Sequence, residues 1–110
     1  MSTRKLVTSG SPFERPIGFS RAVRIGPWIA VSGTAPLAED GATACPGDVF
    51  GQTRRCLEII ERAVVEAGGT LDGVIRTRIF MTDISRWQEA GRAHGSMFAD
   101  LRPACKPFLF

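Results

Sequence analysis

Residues 28–36, Trp28-Ile29-Ala30-Val31-Ser32-Gly33-Thr34-Ala35-Pro36, predict a short buried strand that stops at a Ser-Gly-x-x-Pro turn. Glycine lets a backbone turn sharply at a positive φ and come close to a bound group, and proline prevents further pairing in a sheet. A strand end with a free N–H, a hydroxyl and little bulk suits an oxyanion or a carboxylate. We therefore expect a ligand site here, with Ser32 as a hydrogen-bonding wall and Gly33 as a backbone contact.

The preceding segment predicts the partner of this strand. Residues 19–25 alternate, with Phe19, Arg21, Val23 and Ile25 on one face and Ser20, Ala22 and Arg24 on the other. Gly26-Pro27 is short enough to join two strands in a hairpin. Antiparallel partners meet end to start, so the hairpin brings Phe19 next to the Ser32-Gly33 turn.

Two later segments have the spacing of amphipathic helices. In the first, apolar residues recur every three or four positions from Val49 to Ala67, after Asp48 as the N-cap and before Gly68-Gly69 as a left-handed stop. The second helix is expected from Arg86 to Leu101, with Ser85 as its cap.

The remaining segments predict strands. Lys5 to Thr8, with the region around Phe13, is expected to form a first strand or a mobile arm, and Val74–Thr82 and Ala104–Phe110 form later strands. The order β-β-β-α-β-α-β predicts an α+β fold, in which two helices pack on one face of a mixed sheet. The opposite face carries apolar and arginine positions and needs a partner, so we expect an oligomer.

Composition bounds the class of protein. A chain of 110 residues with 44% hydrophobic residues fits a single domain, residues 1–110. The net charge of +3 comes with scattered arginines rather than a basic run, which favours solvated faces over a nucleic-acid surface. The sequence has neither an apolar stretch that could span a membrane nor a signal peptide, and we expect a cytoplasmic protein.

The potential metal ligands are few and widely spaced. The three cysteines, Cys45, Cys56 and Cys105, form no CxxC pair, and His94 is the single histidine. We therefore expect no metal site and no cofactor. A nucleophilic role for Cys105 is disfavoured against a pocket-lining thiol, because alternation turns Lys106 to the opposite face and nothing in the sequence brings His94 near.

Several motifs together carry a family resemblance. They are Ser32-Gly33-x-x-Pro36, the run Glu66-Ala67-Gly68-Gly69-Thr70-Leu71-Asp72-Gly73-Val74, the strand Arg76–Asp83 and Pro103-Ala104. Their order and spacing resemble the RidA/YjgF family of reactive-intermediate (enamine/imine) deaminases, also named endoribonuclease L-PSP. The resemblance implies a chorismate-mutase-like fold and homotrimers with ligand pockets between subunits. It also implies a small carboxylate, imine or carbonyl metabolite as the ligand.

The chain departs from that family at positions with chemical roles. Where the deaminases carry Pro-Ala-Arg, with an arginine that grips the substrate carboxylate, this chain carries Pro103-Ala104-Cys105. Phe19 stands where the family has a pocket tyrosine. The sequence stops at Phe110, so we expect the family's final strand, with a glutamate that assists the attacking water, to be missing, whether by nature or through truncation, a frameshift or residues left off downstream.

The resemblance therefore implies a substrate-binding site of Phe19, Ser32, Gly33 and Cys105 with no assigned catalytic residue. The favoured function is a 2-iminobutanoate/2-iminopropanoate-type deaminase with weak or altered activity. Without a guanidinium, carboxylate binding is expected to be weak and nearly independent of salt. The alternatives are a non-catalytic metabolite-binding or interaction protein, and an endoribonuclease, which would need an accessible basic cleft.

Overall fold

Residues 3–106, the part of the chain that this computed structural model describes, form five strands and three α-helices. The elements are β1 (Arg4–Val7), α1 (Glu14–Ile17), β2 (Ala22–Ile25), β3 (Trp28–Val31), α2 (Val49–Glu66), β4 (Arg76–Arg78), α3 (Trp87–Phe98) and β5 (Ala104–Lys106), with 3-10 turns at Leu71–Gly73 and Ile84–Arg86. The predicted order and the α+β class are confirmed, apart from the additional short helix α1. Residues 3–34 with 59–71 form one compact unit, and residues 35–58 with 72–106 form a second.

The first unit contains a three-stranded antiparallel sheet in the order β1-β2-β3. The predicted hairpin is confirmed, with Ala22 opposite Val31 and Ile25 opposite Trp28. Its strands are shorter than predicted. Phe19 lies outside the ladder because Gly18, at φ 87°, turns the chain, and the Phe19 N–H donates to the Glu14 carbonyl at 2.9 Å.

The second half of α2 packs on one face of this sheet. Val7, Ala22, Ala63 and Ala67 form a cluster in which each residue is at most 4% exposed, with Ile29 and Val31 against it. The predicted ends of α2 are also confirmed. Asp48 accepts the Gly51 N–H at 2.9 Å, and Gly68 ends the helix at φ 92°.

The second unit contains the parallel pair β4-β5 and helix α3, which buries Ala90, Ala93 and Phe98. The predicted strand Val74–Thr82 was too long, because β4 covers Arg76–Arg78 alone. These three residues pair with the three described residues of β5. The predicted Ser85 cap was wrong. Arg86 is the N-cap residue of α3 and makes no side-chain cap hydrogen bond. Asp83 caps the preceding 3-10 turn, where its carboxylate accepts the Ser85 N–H at 3.1 Å and the Ser85 hydroxyl at 2.5 Å.

Two further predictions concern the chain ends. The predicted first strand is confirmed as β1, whereas the region around Phe13 forms α1 instead of an arm. The predicted last strand begins at Ala104, and its residues 107–110 lie outside the described part of the chain.

Candidate functional site

The candidate site lies on the sheet face that α2 leaves open. Because Ala22 and Val31 face α2, alternation places Arg21, Val23 and Ile25 of the β2 segment on the opposite face. Ser32 continues that face beyond β3, and its N–H donates to the Arg21 carbonyl at 3.0 Å. One sheet face therefore carries the start of the predicted turn and the side chain of Arg21.

Arg21 fixes the Ser32-Gly33 turn. Its Nη1 donates to the Ser32 carbonyl at 3.3 Å, the Gly33 carbonyl at 2.7 Å and the Thr34 hydroxyl at 3.0 Å. The guanidinium carbon also lies 5.9 Å from the centre of the Phe19 ring, within cation–π range. Arg21 was missed as a site residue, although its alternation with Phe19 was the available signal.

Ser32 and Gly33 offer a ligand different groups from those expected. The Ser32 hydroxyl donates to the Ser20 carbonyl at 2.6 Å. A carbonyl can only accept, so the single hydroxyl proton is used and Ser32 can only accept from a ligand. The Gly33 N–H, in contrast, has no partner among the described residues.

The expected positive φ at Gly33 was wrong. The φ angle of Gly33 does not lie in the left-handed region. A Cβ added to Gly33 would meet no other atom within 4 Å. The residue therefore leaves open space in front of the turn, and it is not needed to relieve backbone strain. The free N–H on an exposed turn remains a suitable contact for an anion.

Phe19 is positioned by a network around Glu14. The Glu14 carboxylate accepts the Thr8 hydroxyl at 2.8 Å, the Ser9 hydroxyl at 2.7 Å, the Ser9 N–H at 2.9 Å and the Ser11 N–H at 3.3 Å. These donors, above all the Ser9 hydroxyl, lower the pKa of Glu14 to about 2. An ionised Glu14 thus organises the segment that leads into Phe19.

Cys105 belongs to the second unit, where it lies on β5 opposite Thr77 of β4. The Thr77 hydroxyl is 2.8 Å from His94 Nε2, and burial lowers the pKa of His94. Within the described residues, the Cys105 thiol makes no hydrogen bond, and no cluster of metal-ligating side chains occurs. The structure thus groups Phe19, Ser32 and Gly33 around Arg21, while a shared site that includes Cys105 stays a prediction.

None of the helices within residues 3–106 has the length and apolar character needed to cross a membrane.

Comparisons with known proteins agree on one family. The family model described as endoribonuclease L-PSP matches residues 13–107. A RutC family protein of Pyrococcus abyssi is 28% identical over 105 residues, which covers 94% of this chain and 81% of the relative. An uncharacterized protein of Streptomyces coelicolor is 36% identical over 97 residues, covering 88% and 72%.

Solved structures show the same relationship. Rv2704 of Mycobacterium tuberculosis, a member of the YjgF/YER057c/UK114 family, has a TM-score of 0.84 at 45% identity, covering 97% of this chain and 83% of that chain. The YjgF gene product of E. coli has a TM-score of 0.80 at 23% identity, covering 97% and 86%, and this likeness shows the fold alone.

The Glu14 network predicts a pH dependence of stability. The pKa of Glu14 falls from 4.5, the ordinary value of a free glutamate carboxyl group, to about 2 in the fold. A carboxyl group with a depressed folded pKa stabilises the protein above its unfolded pKa, and this contribution is lost as the pH falls through the folded value. Melting temperatures should therefore drop between about pH 4.5 and pH 2, and less steeply in Glu14→Gln.

The control is Ser9→Ala, which removes the strongest donor and keeps the carboxylate. The pKa of Glu14, followed by NMR titration, should rise in this variant. A wild-type Glu14 that titrates near 4.5 would show that the network does not form in solution.

Proposed function

We propose, because this chain belongs to the endoribonuclease L-PSP (RidA/YjgF) family, that it binds a small carboxylate-bearing enamine, imine or carbonyl metabolite at the Ser32-Gly33 turn. The supporting observation is the Gly33 N–H, which has no partner among the described residues and belongs to an exposed residue, where an added Cβ would meet nothing within 4 Å. An unpaired N–H at an exposed turn is a preformed donor for an anionic oxygen.

The proposed activity is hydrolytic deamination that is weak or altered. In that reaction a water adds to the imine carbon, the C–N bond breaks, and a carbonyl compound and ammonia leave. A bidentate grip on the substrate carboxylate requires a guanidinium, whereas the Cys105 thiol is a weak donor. A non-catalytic metabolite-binding protein is the second candidate, and the same substitution at position 105 favours it.

The proposed assembly is a homotrimer with ligand pockets between subunits. Leu6 is 61% exposed and Trp28 is 69% exposed on the open sheet face. A shallow apolar cavity of about 310 Å³ lies there, lined by Arg4, Val23, Ile25, Trp28 and Ala30. A second copy over this face would remove a large apolar surface from water.

An endoribonuclease is disfavoured, because several arginines are used inside the fold. Arg24, Arg55 and Arg86 each donate to a backbone carbonyl. Guanidinium groups held in this way are not a free basic cleft for phosphates.

The three cysteines are free thiols, which fits the proposed cytoplasmic location.

Turnover of freshly generated 2-aminoacrylate should be low. A charge-assisted hydrogen-bonded contact is worth about 1.5–3 kcal/mol, so its loss costs on the order of tenfold to a hundredfold in kcat/KM. The assay compares this protein with a relative that carries Pro-Ala-Arg. Equal turnover by the two proteins would show that Cys105 marks no functional departure.

Light scattering should give a mass near three times 11.9 kDa. Trp28→Glu should lower the mass, because it places a charge in the proposed subunit contact. Val65→Glu is the control, since Val65 is 57% exposed on α2 and lies outside the open sheet face. A stable wild-type monomer, or equal effects of both variants, would contradict the assembly.

Gly33→Val should abolish binding of 2-oxobutanoate without unfolding the protein. The valine side chain fills the space that a ligand would occupy, and no positive φ has to be maintained. Gly73→Val is the matched control, because a Cβ at this second exposed glycine also meets nothing within 4 Å. Calorimetry measures affinity, and unchanged affinity in Gly33→Val would remove this turn from consideration.

A further inference from the structure

Arg21 carries a charge with no counter-ion in the described part of the chain. Its contacts there are three neutral oxygens, all of them on Nη1, and the nearby Phe19 ring. Residues 3–106 provide no carboxylate that pairs with it and no hydrogen-bond partner for Nε or Nη2. A partly buried cation in this state lacks the partner that such charges ordinarily have.

The vacant Nε–Nη2 edge has the geometry for a carboxylate. Arg86 demonstrates this in the same chain, since its Nε lies 2.8 Å from Glu89 Oε2 and its Nη2 lies 2.9 Å from Glu89 Oε1. Two parallel N–H donors match the two oxygens of a carboxylate, which gives a stronger and more directional contact than one donor.

The Nη1 contacts also orient Arg21 before any ligand arrives. Three oxygens of the turn accept hydrogen bonds from Arg21 Nη1, so the Arg21 side chain has little conformational entropy left to lose when a ligand binds. The same turn supplies the unpartnered Gly33 N–H.

From this geometry we propose that Arg21 anchors the carboxylate of the ligand through its Nε–Nη2 edge. The carboxylate is then held from the Ser32-Gly33 turn, and not from the position after Pro103-Ala104 as the family resemblance implies. The ligand class is a small monocarboxylate such as a 2-oxo or 2-imino acid. This inference rests on the proposed function, because it names the group that selects the ligand at that turn.

A charged anchor changes the expected salt dependence. A turn with only neutral donors binds a carboxylate almost equally well at low and high salt. An ion pair at a partly exposed guanidinium weakens as ionic strength rises. The affinity for 2-oxobutanoate should therefore fall with added salt, and the affinity for its uncharged methyl ester should not.

The deciding experiment measures the ratio of the two affinities by calorimetry and locates both compounds by chemical-shift mapping. The wild-type protein should prefer the acid over the ester by on the order of tenfold, as expected for one charged hydrogen-bonded contact. Arg21→Gln should reduce this preference to about one, and Arg21→Lys, which keeps the charge without the fork, should give an intermediate value. Arg54→Gln is the control, since Arg54 donates to Ser96 in the second unit, and it should keep the full preference.

The outcomes separate the anchor from the turn. If Arg21→Gln weakens acid and ester equally, Arg21 only braces the turn; the inference is then overturned while the proposed function stands. If neither compound shifts the turn resonances of the wild-type protein, the proposed function fails as well. If Arg21→Gln melts at a lower temperature than the wild-type protein, the salt dependence of the wild-type affinities decides instead. A preference for the acid that does not change with salt would overturn the role of Arg21 as the carboxylate anchor.

Discussion

The close contact between α2 and the three-stranded sheet determines which residues of the first unit lie on the open sheet face. Ala22, Ala63 and Ala67 are 1%, 3% and 1% exposed, and each contributes only a methyl group to the contact. Small side chains let the helix lie close to the strands, and the fit leaves no room for a larger side chain. A shift of one residue in β2 would exchange the two sheet faces. The buried alanine at position 22 therefore also fixes Arg21 on the open face.

Arginine side chains take over hydrogen bonding where the sheets and helices end. A carbonyl in a turn or at a helix end has no ladder partner and is hydrogen-bonded either by a side chain or by water. Arg24 donates to the Ala67 carbonyl at the end of α2, and Arg86 donates to the Gly47 carbonyl. Arg21 donates to the carbonyls of Ser32 and Gly33. The scatter of these residues along the sequence follows from the scatter of the turns. A mildly basic chain can thus use its charge for the fold rather than for a nucleic-acid surface.

Local signals in the sequence were enough for the elements that depend on local contacts. The two ends of α2, at Asp48 and Gly68, could be predicted because a helix cap and a left-handed C-terminal glycine depend on neighbouring residues. The length of β4 depends instead on its distant partner β5, and periodicity carries no information about that partner. The helix α1 depends on four donors that converge on Glu14 from an aperiodic segment.

The candidate site shows the same division. The motif and the alternation predicted that Phe19, Ser32 and Gly33 lie close together, and the structure groups them around Arg21. The hydrogen bonds of Arg21 to the turn were missed, because only the folded geometry reveals which carbonyls lack partners. The same holds for the Ser32 proton, which the Ser20 carbonyl already accepts.

The polarity of the turn limits the ligands that it can satisfy. The Ser32 hydroxyl already donates and can only accept, whereas the Gly33 N–H and the free edge of Arg21 can only donate. A ligand that satisfies all three groups needs a carboxylate for the donors and an N–H for the hydroxyl. A 2-oxo acid has only the carboxylate and leaves the hydroxyl oxygen without a ligand donor. A 2-imino acid has both groups, so under the proposed function the hydrogen-bonding pattern of this turn should favour the imine over the hydrolysed product.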